Sequence, residues 1–232
     1  MRIALAIFAL AAGLCINAFA DETWQAALGR MPLGAETKEL SRTNCIPLML
    51  NAFQSNSVVK ALVFMPGAAD EFVFLRRANA TLTNANPSLL DAVTALTNQT
   101  YIRADFRPPF LLLYTTEDEL DPIAVVKSKS TAAKLQARTV PDRLVLCDSN
   151  WDDSRKAVAR KVSISVLPVS NAVSSWHFWP NNFVACGVTQ WELLEALALS
   201  GKTTFTLHWL TVDYELDKRS GPVENLKSFP GH

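Results

Sequence analysis

Asn86-Pro87-Ser88-Leu89-Leu90-Asp91-Ala92-Val93-Thr94-Ala95-Leu96 is the stretch that decides the fold of this chain. Leu89, Leu90, Val93 and Leu96 fall on one face at helical spacing, with Asn86 placed to cap and Pro87 to take the first helical position. Residues 101–106 then alternate as a strand, Arg107-Pro108-Pro109 turns the chain, and residues 110–114 form a continuous apolar strand. A helix that delivers an apolar face to two neighbouring strands is the core of an α+β unit. The same order returns 104 positions later: Leu193-Leu194-Glu195-Ala196-Leu197 lies in a helix expected over 189–199, Ser200-Gly201 breaks it, and strands are expected over 203–209 and 210–216.

Working outward, a short helix is expected over 24–28, ended by Met31-Pro32 and Gly34. Ser41 or Thr43 can cap a helix reaching residue 53, with Pro47 tolerated near its first turn. A strand over 58–65 closes at Pro66-Gly67, and 72–77 and 80–83 are extended candidates. The acidic run Glu117-Asp118-Glu119-Leu120-Asp121-Pro122 marks a division. Beyond it come a basic helix over 126–138, a strand over 143–147, a helix over 152–160 capped from Asp148-Ser149-Asn150, and a strand over 162–167. The expected fold class is α+β: two helix-and-sheet halves, 21–121 and 122–216, with mixed or antiparallel small sheets and a flexible tail over 217–232.

Compartment is read from the first twenty residues. Arg2 supplies a positive charge, 3–14 is apolar, and Ala18-Phe19-Ala20 offers a small-x-small cleavage site before Asp21. Residues 1–20 therefore read as a cleaved signal peptide, and the mature chain as periplasmic or secreted. No later apolar run approaches the ~20 residues of a membrane span. With 49% hydrophobic and 19% charged residues the chain can bury a large core. Its 22 basic residues balance 22 acidic ones, which argues against nucleic acid as a partner. Cys45, Cys147 and Cys186 allow one disulfide in an oxidising compartment; Cys147 with Cys186 is the first pair to test, and three free thiols are the alternative.

Val188-Thr189-Gln190-Trp191-Glu192-Leu193-Leu194-Glu195-Ala196-Leu197, a strand and helix followed by two strands, resembles the short modules at the N-termini of secretins and TonB-dependent receptors. Ala80-Thr81-Leu82-Thr83 through Leu96-Thr97-Asn98-Gln99-Thr100 resembles them in the same way. The resemblance covers about a third of the mature chain. It implies an envelope interaction domain without catalysis, and no pore or barrel region follows.

Catalytic chemistry has one candidate arrangement. Residues 59–70, ending Met65-Pro66-Gly67-Ala68-Ala69-Asp70, resemble the strand and oxyanion loop of α/β-hydrolases, and residues 109–119 resemble the strand that delivers their acid. That would make Asp118 or Asp121 the orienting carboxylate and His177 the base. The G-x-S-x-G nucleophile elbow is missing from the whole chain, so no residue is assigned a catalytic role. Glu117, Asp118, Glu119 and Asp121 crowd four carboxylates together without the central Gly of a calcium loop. Asp148, Asp152 and Asp153 suit a helix N-terminus. His177, His208 and His232 are scattered, so no metal ligand set is assigned, and no phosphate-binding motif points to a nucleotide or other cofactor. Trp176-His177-Phe178-Trp179 is the densest aromatic cluster and the expected binding site. The expected function is an exported, non-catalytic envelope binding or scaffolding protein with a protein partner; a divergent α/β-hydrolase is the alternative.

Overall fold

The computed structural model describes residues 23–34, 37–41, 43–65, 79–114, 124–167, 180–201 and 203–216. The signal-peptide segment 1–20, the acidic run with Asp118 and Asp121, the extended candidate 72–77 and the tail 217–232 lie outside these.

The described elements come in two series of like order. The first is α1 (Trp24–Gly29), β1 (Glu39–Leu40), α2 (Cys45–Ala52), β2 (Ala61–Phe64), β3 (Ala80–Thr81), α3 (Leu89–Gln99), β4 (Arg103–Arg107) and β5 (Phe110–Tyr114). The second opens with an additional strand β6 (Ala124–Val126) and continues α4 (Lys129–Gln136), β7 (Thr139–Val140), β8 (Leu144–Ser149), α5 (Trp151–Ala159) and β9 (Ser165–Val166). It ends with β10 (Asn181–Ala185), β11 (Val188–Thr189), α6 (Gln190–Gly201), β12 (Thr203–Leu207) and β13 (Thr211–Leu216).

The pairings repeat with the order. β1 pairs antiparallel with β3, as β8 does with β10. β2 runs parallel to β5, as β9 does to β13, and β4–β5 and β12–β13 are both hairpins. The bridge Pro32↔Ser88 before α3 matches β7–β11 before α6. Even the caps match. Thr23 and Ser128 oxygens accept the N–H three residues on in α1 and α4. Ser88 and Asp91 exchange hydrogen bonds at the start of α3, and Thr189 and Glu192 do the same at α6. Ser88, not Asn86, is therefore the cap of α3, and the helix begins after it.

Sheets then join the series. The five-stranded order is β4-β5-β2-β10-β8, so strands from both sides of residue 121 share one sheet through the antiparallel β2–β10 pair. The physical reason lies in β2, whose Ala61, Leu62, Val63 and Phe64 are all buried: such a strand needs neighbours on both edges and cover on both faces. Leu62 and Phe64 face one core with Leu111, Leu113 and Val184, under α1, α2 and α3. Ala61 and Val63 face the other with Phe183, Ala185 and helix α6. The second sheet, β6-β12-β13-β9, packs Phe205, Leu207, Val212 and Tyr214 into that second core. Helix α6 is buried along Leu193, Leu194 and every residue from Ala196 to Gly201, as a helix between two sheets must be. The fold is α+β, with small mixed sheets.

Several elements differ from expectation. Residues 124–126 form β6, parallel to β12, and the basic helix starts only after Ser128 caps it. Strand β10 was not expected from its Asn-Asn start; its burial follows from lying between β2 and β8. Helix α6 continues through Gly201, whose lack of a Cβ leaves room for Trp151: a Cβ there would stand 2.8 Å from its ring.

Candidate interaction surface

The expected site, Trp176, His177, Phe178 and Trp179, lies outside the described residues, as do Asp118 and Asp121, so neither the cluster nor a triad geometry is described. What is described is the re-entry of the chain behind the cluster. Asn181 is fully buried and its Oδ1 accepts a hydrogen bond from Ser200 Oγ at 2.8 Å. Asn182, also buried, donates to the Pro180 carbonyl and accepts from the Asp148 N–H at 2.7 Å. There β8 carries a bulge, with Cys147 and Asp148 opposite Asn182, and Asp148 at φ 48, a conformation Asp tolerates. Asp152 and Asp153 occupy the first turn of α5, where Asn150 caps the helix.

The three described cysteines, Cys45, Cys147 and Cys186, are free. Cys147 lies in the bulge, while Cys186 lies past the Ala185↔Leu144 pair, four positions along β10 from Asn182. At ~3.3 Å per residue that is well beyond the ~7 Å Cα limit of a disulfide, so the Cys147–Cys186 pairing gives way to free thiols. Cys186 donates its thiol to the Pro141 carbonyl at 3.2 Å. Cys45 is buried, which pushes its pKa up to about 12.

The most conspicuous surface feature is one that the sequence reading had placed inside strands. Trp209 and Leu210 form the tip of the β12–β13 hairpin and are 73% and 67% exposed. Their backbone is fixed: the Trp209 carbonyl accepts from Thr131 Oγ1, the Leu210 carbonyl from the Ser165 N–H, and the His208 N–H donates to Thr211. With the main chain held from three sides, both side chains project from a hydrogen-bonded turn. In the same sheet the edge strand β6 leaves Val125 and Val126 exposed on alternate faces, Val126 in register with Leu207. His208 Nε2 lies 3.2 Å from Asp213 Oδ2 on the same hairpin, a polar margin to the apolar tip. An exposed aromatic with a polar margin is the kind of feature that anchors protein-binding patches. The sequence carried only the apolar pair Trp-Leu, because a hairpin turn usually holds Gly, Asn, Asp or Pro.

Among the described residues no group of three or more His, Cys, Asp or Glu side chains could hold a metal ion. No helix there is long and apolar enough to cross a membrane. No hydroxyl or thiol of a described residue is hydrogen-bonded to His208, the one described histidine. Comparison of the chain with protein-family profiles, with curated proteins and with solved structures gives no match.

Proposed function

We propose that this chain is an exported, non-catalytic binding or scaffolding protein, periplasmic or secreted, that acts by protein–protein contact. The observation that carries the reading is the exposed Trp209–Leu210 pair on a hydrogen-bonded hairpin tip. A large aromatic held out on a fixed backbone loses little entropy on binding and contributes heavily to an interface. The aromatic run 176–179 adds candidate anchors, and the resemblance of 188–197 to secretin and TonB-receptor modules fits an envelope partner. The leader-like residues 1–20 fit export.

The test has two arms. N-terminal sequencing of protein recovered from the native compartment should begin at Asp21; recovery of intact Met1 protein inside the cell overturns export. Proteins captured from an envelope extract by wild type should be lost with Trp209→Ser/Leu210→Ser. Equal capture by both removes the hairpin tip from the proposal. Turnover of an ester panel that disappears with His177→Ala would overturn the non-catalytic reading.

A further inference from the structure

The repeated architecture has an internal junction, and its two halves recur at opposite ends of the series. At the junction β2 pairs with β10, Leu62 opposite Val184. The Cys186 N–H donates to the Lys60 carbonyl two residues along, so by the period of two the main-chain groups of Leu62 and Val184 face each other. The counterpart of Leu62 in the second series is Val166: Leu62 lies opposite Leu111 on the parallel hairpin strand, and Val166 opposite Val212. Ser165 and Leu167 spend their N–H groups on β13, so the Val166 carbonyl points to the outer edge of β9. The counterpart of Val184 in the first series is Thr81, since Leu82 bonds across to Lys38 and turns the groups of Thr81 outward.

Neither outer edge is bare. Arg155 Nη1 donates to the Val166 carbonyl at 2.8 Å. The Gln99 amide both accepts from the Thr81 N–H and donates to the Thr81 carbonyl, each at 2.9 Å. At the junction itself the equivalent helix positions hold residues that cannot do this. Aligning α3 with α6 by their capping boxes sets Gln99 against Ser200, which is short and bonded to Asn181. Aligning α2 with α5 by their Asn44 and Asn150 caps sets Arg155 against Met49, which is apolar and buried. Side-chain caps occur where the array would continue, and are missing where it does continue.

We propose that the β9 edge and the β3 edge are the two complementary halves of a head-to-tail docking site for a second copy of this chain, held shut by Arg155 and Gln99. The occupant is specified by the internal junction: a strand that fits β9 as β10 fits β2 is the β3 of another copy. Such a contact is heterologous, and where its rotation does not close, two uncapped edges on one molecule produce chains and not dimers. This proposal does not depend on the Trp209–Leu210 reading.

Sedimentation velocity on the mature chain over a range of concentrations tests it. Methionine keeps each aliphatic stem and removes the polar head, so Gln99→Met opens only β3 and Arg155→Met opens only β9. Wild type and both single variants should sediment as monomers. An equimolar mixture of the singles should form one-to-one dimers, and the double variant should form longer species that grow with concentration. Adding Thr81→Pro, which removes the outward N–H of β3, should return the double variant to monomer. A double variant that keeps a wild-type far-UV spectrum and melting transition yet stays monomeric overturns the proposal. So does association that survives Thr81→Pro. Should the methionine pair lose its melting transition, Gln99→Ala with Arg155→Ala gives the same uncapping and is read by the same outcomes.

Discussion

Helices α3 and α6 hold the same place in the two series, and their surroundings could hardly differ more. Helix α3 buries Leu89, Ala92, Val93, Ala95 and Leu96 and leaves the rest of its surface outward, an ordinary amphipathic helix on one face of a sheet. Helix α6 lies between two sheets and buries almost its whole second half. The difference follows from the strands. In the first series β1 and β3 are two residues each and stand as a separate small sheet. In the second, β8 and β10 are six and five residues long and extend the sheet that contains β2. One topology thus produces an outer layer in one copy and a central layer in the other, and stability should concentrate in the second.

The largest test of that asymmetry compares aromatic truncations in the first strands of the two hairpins. Phe205 is buried between Trp191 and Tyr214, with ring centroids 5.3 and 5.6 Å away. Its counterpart in the first hairpin is Ala104, and the aromatic of strand β4 is the partly exposed Phe106, against Trp24 at 6.1 Å. Phe205→Ala should cost ~3–5 kcal/mol by denaturant unfolding, and Phe106→Ala about half of that or less. Equal losses would refute a core weighted toward the second series. Next comes Gly201→Ala. A Cβ there would stand 2.8 Å from Trp151 Cζ3 and 3.0 Å from Asn181 Oδ1, inside a packed core, so a loss of ~1–3 kcal/mol is expected.

Those two positions also show what the sequence could convey. Periodicity located α3, α6 and both hairpins, because a helix face and an apolar strand are written in local spacing. It could not show that β2 and β10 pair, because Ala61 to Phe64 carries no mark of which distant strand lies beside it. It could not show the caps on the edges either: Gln99 and Arg155 read as exposed helix residues until the strands beside them are placed. Trp209 and Leu210 were legible as an apolar pair but not as a turn, since 208–211 holds no Gly, Asn, Asp or Pro. The Trp176–Trp179 cluster was the strongest signal in composition and lies outside the described residues.

The capping boxes provide a smaller and more symmetrical comparison. Ser88→Ala leaves the Asp91 N–H without its oxygen, and Thr189→Ala does the same to the Glu192 N–H. Each should cost ~0.5–2 kcal/mol in unfolding experiments. The Thr189 variant should stand at the upper end if α6 is the central helix, and a larger loss at Ser88 would reverse the ranking of the two copies.

The smallest effect separates letters from geometry. Leu89-Leu90-Asp91-Ala92 and Leu193-Leu194-Glu195-Ala196 match at 104 positions, yet the capping boxes align the helices 101 apart, nearly one turn away. The two acids consequently have opposite chemistry. Asp91 is in the first turn, where hydrogen bonds from Ser88 hold its pKa below the ordinary 3.8. Glu195 is one turn further in, where burial raises its pKa above 4.5 despite a bond from Trp191. A lowered folded-state pKa adds stability at higher pH that is lost as pH falls through it, whereas a raised one adds stability at low pH that is lost as pH rises through it. Asp91→Asn should therefore remove stability above pH 4 and change little well below it. Glu195→Gln should match wild type near pH 4 and gain on it as pH rises toward neutrality. Denaturant midpoints of both variants across that range check the signs. Parallel curves would return the two acids to a common environment, and with it the 104-residue match to structural meaning.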